Sequence, residues 1–329
     1  VHHFDRLTAV APGHGIVYVP CHRSHIDYLL LSYIVFQRGL MAPHIAAGAN
    51  LNLPVVGSIL RRSGAFFLRR KIRGDALYAA VFLEYLHLMI DRGFAIEYFI
   101  EGGRSRSGRM LQPKAGILAM TVHSFVRSRA RPLSFVPVYI GYEKLVEGKS
   151  YLAELSGRPK KSESLVDLIS AARVLRSRFG KVHVNFGQPL DLAAFLDQRH
   201  PSWREDAFDI HAPWLRSAVD ATAQALACEI NAAAVVNPVN LVALTLLSTP
   251  KHAADRKLLA GQIEHVQHLL AESTWSRSVV RCDIEPAAAI DHTISLGLAE
   301  SLPHPLGDIV RSDETQAALG KVVAEFADD

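Results

Sequence analysis

The sequence predicts an α/β protein with a largely parallel central sheet flanked by helices, followed by a C-terminal helical lobe. Two observations predict the first part: short apolar, β-rich runs bounded by glycine or proline, and between them longer stretches whose apolar residues recur at helical spacing. Strands that alternate with helices favour parallel pairing. A third observation predicts the lobe, because from Trp203 onward the pattern changes to Ala-rich helical segments with few strand signals. The sequence therefore divides into an α/β catalytic domain over residues 1–202 and a helical lobe over 203–329.

Gly15 to Pro20 (GIVYVP) reads as a buried strand. Ser24 is placed to cap the helix that follows, Asp27 falls in its first turn, where negative charge is favoured, and Tyr28 to Phe36 continues it as a dense apolar segment. Further strands are expected at His44 to Ala47, Ala65 to Leu68 and Ala95 to Ile100, with a helix from about Gly74 to Arg92. A helix over Ala115 to Arg127 precedes a strand over Leu133 to Ile140. After a polar, Lys-rich stretch from Lys144 to Ser164 come another helix, ending at Phe179, and a strand over Val182 to Phe186. In the lobe, helices are expected within His211 to Ala234 and Ala253 to Ser273.

With 329 residues and 49% hydrophobic content, the chain can bury at least one large core. The 36 Lys+Arg against 32 Asp+Glu leave a net charge of +4, a mild excess that suits an anionic substrate or membrane surface. Cys21, Cys228 and Cys282 are few, odd in number and far apart, which suggests neither a disulfide framework nor a zinc site and fits a reducing compartment. No apolar run reaches the roughly 18 to 20 residues of a membrane-spanning helix, so the chain should not span a bilayer. It begins at Val1 and stops in a polar run, Glu325 to Asp329, and reads as a piece of a longer protein.

Four segments carry chemistry. The first is Pro20-Cys21-His22-Arg23-Ser24-His25-Ile26-Asp27, where a strand gives way to a helix, the kind of junction at which ligands gather in parallel sheets. Asp27 can fold back to hold one nitrogen of His22 while the other accepts a proton from a hydroxyl. His25 is a competing base, and the bland reading is a loop histidine and a helix-start carboxylate. The second is Gly64 to Arg70, an apolar strand ending in Arg69 and Arg70, which suits phosphate or simply solvated charge. The third is Phe99 to Gly108, in which an apolar strand ends in Glu101, Gly102 and Gly103 permit close approach of a ligand, and Arg104 and Arg106 alternate with Ser105 and Ser107. It reads as a phosphate or oxyanion cradle and matches neither common nucleotide-binding loop. The fourth, Phe135 to Tyr142 with Pro137 inside it, reads first as a buried strand and second as a wall of the site.

In this order the four segments resemble the glycerolipid acyltransferase family, specifically its membrane-associated bacterial glycerol-3-phosphate acyltransferase branch. The likeness appears as His22-x4-Asp27, Gly64 to Arg70, Phe99 to Gly108 and Val136 to Gly141, and it continues through Pro43 to Gly48 and Val184 to Gly187. Leu68 and Ser107 stand where the branch often has Ile and Thr. The resemblance implies transfer of a fatty acyl group from acyl-CoA or acyl carrier protein to the 1-hydroxyl of sn-glycerol 3-phosphate, giving lysophosphatidate. It gives His22 the base role and Asp27 the orienting role. It places Arg69, Arg70, Glu101, Gly102, Gly103, Arg104, Ser105, Arg106 and Pro137 in substrate binding, with the phosphate on Arg70, Arg104 and Arg106.

The mechanism then expected is direct attack, with no cofactor, metal or acyl-enzyme, and with backbone donors around Arg23 to His25 available for the oxyanion. A thiol nucleophile at Cys21 has little to favour it. Rivals are an acyltransferase for dihydroxyacetone phosphate or lysophosphatidate, and a non-catalytic binder of anionic lipid or nucleic acid. The second of these would need spread-out basic residues with exposed aromatics, whereas the arginines here recur at strand ends beside His22. No nucleic-acid partner is expected. Lipid substrates favour peripheral attachment to the cytoplasmic face of a bacterial inner membrane.

Overall fold

A computed structural model describes residues 1–52, 54, 56–69, 74–129, 131–145, 147–148, 151, 179–272 and 278–312. Arg70 and the helix expected to end at Phe179 therefore lie outside the described residues. The α/β fold with a mostly parallel sheet is as the sequence predicts. The chain forms two compact units that interleave in sequence: residues 1–103, 111–139 and 184–231 make one, and residues 104–110, 140–183 and 232–329 the other.

In the first unit a short helix α1 (Phe4–Val10) precedes β1 (Gly15–Pro20), α2 (Asp27–Gln37), β2 (His44–Gly48), α3 (Val56–Arg62), β3 (Ala65–Leu68), α4 (Ala76–Asp91), β4 (Ile96–Glu97) and α5 (Gly116–Ser128). Then come β5 (Leu133–Tyr142), β6 (Val182–Phe186), β7 (Leu190–Asp191), α6 (Leu192–Arg199) and α7 (Pro213–Ala232). The sheet runs β3-β2-β4-β1-β5-β6, with β7 on β5. β1 lies parallel between β4 and β5, and β2 parallel between β3 and β4. Every residue of β1 and β5 is buried, as continuous apolar runs demand of inner parallel strands.

Strand alternation fixes which helix covers which face. Phe66 packs on Phe82 and Tyr85 of α4, while the next residue, Phe67, lies under the guanidinium of Arg61 in α3. α3 and α4 therefore cover opposite faces. Tyr98 donates its hydroxyl hydrogen to Thr121 of α5, while Phe99 turns the other way and stacks on His22. Right-handed crossovers give the same answer, since α2 and α3 step toward β3 and α4 and α5 step back.

Three expectations need correction. The strand expected over Ala95 to Ile100 is only Ile96–Glu97, because beyond Glu97 the chain leaves the ladder to build the His22 site. Ser24 does not cap α2: Ile26 occupies that position, and the helix has no side-chain cap there. The C-terminal region is not purely helical. Its helices α8 (Pro238–Leu247), α9 (Arg256–Glu272) and α10 (Pro286–Ser295) are joined by a three-stranded antiparallel sheet of β8 (Ala253–Asp255), β9 (Glu300–Leu302) and β10 (Ile309–Arg311). Leu241, Val242, Leu246, Leu259, Ile263 and Ile290 form the core of this second unit. α8 opens on a reciprocal cap in which Asn237 and Asn240 each accept the other's backbone N–H.

Candidate active site

The loop after β1 is held from below and behind. Cys21 N–H donates to Val138 O at 2.9 Å, continuing the β1–β5 ladder, and His22 N–H donates to Glu101 Oε1 at 2.7 Å. Asp27, fully buried at the first position of α2, reaches back over the loop. Its Oδ2 accepts from His22 Nδ1 at 3.1 Å, Arg23 N–H at 2.7 Å and Ser24 N–H at 2.8 Å. Because a carboxylate oxygen only accepts, the bond to Oδ2 is made by an N–H, and Nδ1 carries the imidazole proton. Nε2 then presents a lone pair. The ring is clamped by Phe99, stacked at 3.8 Å with 15° between planes, and its side chain is 15% exposed, enough for a substrate to reach it.

One expectation changes here, and one holds. The Arg23 and Ser24 amides already bind Asp27, so they are not the oxyanion donors that the helix start seemed to offer. Cys21 is wholly buried and hydrogen-bonded to Arg23, which leaves no thiol facing a substrate.

Glu101 fastens the site to the following segment, its Oε2 accepting from Leu111 N–H at 2.8 Å. Burial raises its carboxyl above the ordinary range, although the Leu111 and His22 amides and then Arg23 pull the other way. What it positions is the His22 loop. Gly102 has φ +65°, a conformation that favours glycine, whereas Gly103 faces open space. Pro137 is buried inside β5, in register with Val19, and its carbonyl accepts from Gly187 N–H at 2.9 Å. Arg69 leaves the end of β3, three strands and about 14 Å from β1 at the usual strand spacing. Its guanidinium bonds Asp75 at 3.1 Å and lies over Tyr78.

Arg104, Ser105 and Arg106 belong to the second unit. Arg104 donates to the Tyr151 hydroxyl at 2.9 Å and stands 3.9 Å from Glu147, and Arg106 donates to Arg104 O at 2.8 Å. Both guanidinium groups also lie against the Tyr151 ring. Two cations fixed side by side on one aromatic are a natural anion cradle. Ser105 is buried.

Some groups were invisible to sequence reasoning. Arg23 is 3% exposed beside His22; burial opposes its charge, but Cys21, Tyr139 and Glu101 outweigh that and raise its affinity for the proton. Its position inside the His22 to Asp27 run was the one available signal. Tyr151 and Glu147, partners of Arg104, lie in a polar stretch without periodicity. Glu97, on β4, is fully buried with neither carboxyl oxygen bonded to any described residue. Among the described residues no three His, Cys, Asp or Glu side chains are grouped to hold a metal ion, and no helix is long and apolar enough to cross a membrane.

Comparison with known proteins bears on this geometry. Residues 2–141 match the acyltransferase family model, and residues 151–321 match the model described as the glycerol-3-phosphate acyltransferase C-terminal region. Proteins named glycerol-3-phosphate acyltransferase are 50% identical in Pseudomonas putida strain GB-1, over 97% of this chain, and 51% identical in Xanthomonas campestris, also over 97%. The chain spans 39% and 36% of their respective lengths. A solved structure of a 1-acyl-sn-glycerophosphate acyltransferase from Thermotoga maritima aligns with a TM-score of 0.33 at 20% identity, covering 65% of this chain and 66% of its own.

Proposed function

The chain belongs to the glycerol-3-phosphate acyltransferase family, and from that premise we propose that it moves a fatty acyl group from acyl-CoA or acyl carrier protein to the 1-hydroxyl of sn-glycerol 3-phosphate. The product is lysophosphatidate. The observation that carries this reading is the bond fixing His22 Nδ1 to buried Asp27, which leaves Nε2 as a base in a loop otherwise fully tied down. His22 Nε2 takes the hydroxyl proton as the oxygen attacks the thioester carbonyl. The C–O bond forms, the C–S bond breaks as the tetrahedral intermediate collapses, and the imidazolium returns its proton to the departing thiolate. Asp27 stabilises the transient imidazolium and fixes the ring.

The resemblance supports assigning the acceptor's phosphate to Arg70, Arg104 and Arg106, and a part in substrate binding to Arg69, Glu101, Gly102, Gly103, Ser105 and Pro137. Holding the unreactive phosphate turns remote binding energy into alignment of the hydroxyl. The reaction needs no cofactor beyond the acyl donor, no metal and no nucleic acid. The protein works as a peripheral protein on the lipid surface at the cytoplasmic face of the inner membrane. Because the chain is a minor part of its relatives' length, the assay uses the intact protein in membranes. Radiolabelled glycerol 3-phosphate should enter lipid with palmitoyl-CoA, His22→Ala should abolish transfer, and Arg104→Ala should raise the acceptor KM. Undiminished transfer by His22→Ala removes the base assignment, and preference for dihydroxyacetone phosphate or lysophosphatidate reassigns the acceptor.

A further inference from the structure

Between Asp27 and Asp75 the sequence carries no carboxylate and seven cations. This segment includes α2, which is hydrophobic all round. Leu31, Ile34 and Val35 are buried, yet Leu29, Tyr33 and Phe36, at spacings of four and three, are 46%, 62% and 66% exposed. A helix without a polar face needs an apolar partner on both sides. α3, on the same face of the sheet, presents Ile59 at 58% exposure next to exposed Arg61 and Arg62, and Arg38 is exposed just after α2. The opposite face also shows apolar residues, Leu77, Val81 and Leu88 on α4, but α4 exposes the carboxylates Glu84 and Asp91 among them. Apolar residues mixed with cations alone complement a surface that is oily inside and negative at its boundary.

We propose that the α2–α3 face docks on an anionic lipid bilayer, with Leu29, Tyr33, Phe36 and Ile59 entering the headgroup boundary and Arg38, Arg61 and Arg62 meeting lipid phosphates. The proposal rests on the acyl-transfer reading only in that a lipid product must leave into the membrane. Because α2 begins at Asp27, docking holds the His22 end of this helix next to the layer from which a long acyl chain is drawn.

The test is flotation of the purified chain with vesicles of phosphatidylglycerol and phosphatidylethanolamine, against vesicles of phosphatidylcholine alone. The chain should prefer the anionic vesicles. Arg61→Gln with Arg62→Gln should cut that partitioning about 25-fold, at about fivefold per cation, and scarcely change binding to phosphatidylcholine. Tyr33→Ser with Phe36→Ser should weaken both, and Leu77→Gln with Val81→Gln should weaken neither. Failure of the chain to bind anionic vesicles, or equal losses from the α4 pair, would overturn the proposal. So would a dimer in solution that dissociates on Tyr33→Ser with Phe36→Ser, since the face would then belong to a second copy. Transfer from a short-chain acyl-CoA in detergent is read separately on the intact protein. Vesicle binding without transfer sinks the acyl-transfer reading alone, and transfer without vesicle binding sinks the docking face alone.

Discussion

Replacing Glu97 with Gln should make the protein more stable, and increasingly so as pH rises. Glu97 is fully buried on β4, neither oxygen has a partner among the described residues, and it lies on the sheet face that carries Asp27. Burial, and then the negative charge of Asp27, raise its carboxyl well above the ordinary value of 4.5. The folded chain therefore holds a proton there that the unfolded chain releases above pH 4.5. Stability is lost as pH rises through the window between 4.5 and the folded value, at about 1.4 kcal/mol per pH unit. Glutamine keeps the shape and the neutral polar atoms but has no proton to lose. The two proteins should be nearly equal at pH 4, and the gap should widen by about 1.4 kcal/mol per unit until the native carboxyl itself ionises. Urea unfolding at a series of pH values measures it, because Trp203 and Trp214 lie in the unit that contains Glu97. A gap that stays constant between pH 5 and 8 would refute the reasoning, because Glu97 would then be ionised in both states. In the infrared, the native protein should show a protonated-carboxyl carbonyl band that persists above the ordinary carboxylate range, and the variant should lack it.

Other consequences are as direct. Asp27→Asn should lower kcat by about 10³-fold or more, with little change in the acceptor KM, because the neutral amide cannot stabilise the imidazolium; steady-state kinetics on the intact protein separate the two parameters. Glu143, in the second unit, is buried. Burial opposes its ionisation, but the His183 imidazole 3.7 Å away and hydrogen bonds from the Lys181 amide and His292 outweigh it and hold the carboxyl at about 2. Its contribution is present above pH 4.5 and is lost as pH falls toward 2, about 3 kcal/mol in all, and acid titration of Glu143→Gln should lack that component. Gly102→Ala should cost about 1 kcal/mol in thermal unfolding because of its φ of +65°, since the facing atoms are the far end of the Lys114 side chain and can move.

What could be read in the sequence follows from how each feature is encoded. β1 and β5 were legible because an inner parallel strand is apolar at every position, and the amphipathic α5 because its spacing repeats for more than three turns. The three strands of the C-terminal sheet are three residues each, too short for any alternation to register. α1 and α3, with seven residues apiece, are similarly below the length at which a helical period shows. Arg104 stood out in the sequence beside Gly102 and Gly103, but its hold on Tyr151, 47 positions away, depends on tertiary packing. Glu97 is the one carboxylate inside the run Ala95 to Ile100, and only strand alternation turns it toward the face occupied by Asp27.

The spacing of His22 and Asp27 has a physical cause that the pattern alone did not reveal. α2 starts at Asp27 itself, so no ordinary capping residue precedes the helix. The carboxylate instead reaches backward, and one oxygen gathers the amides three and four residues before it and the imidazole five residues before it. Those two amides would otherwise be buried donors without partners, each costing roughly 1 to 3 kcal/mol. Asp27 thus does two jobs with one atom: it satisfies the loop backbone and it sets the tautomer of His22. The same economy commits the Arg23 and Ser24 amides to Asp27 and leaves them for no other acceptor, and it means that a second negative charge at Glu97 would act on His22 through the one carboxylate that the loop depends on.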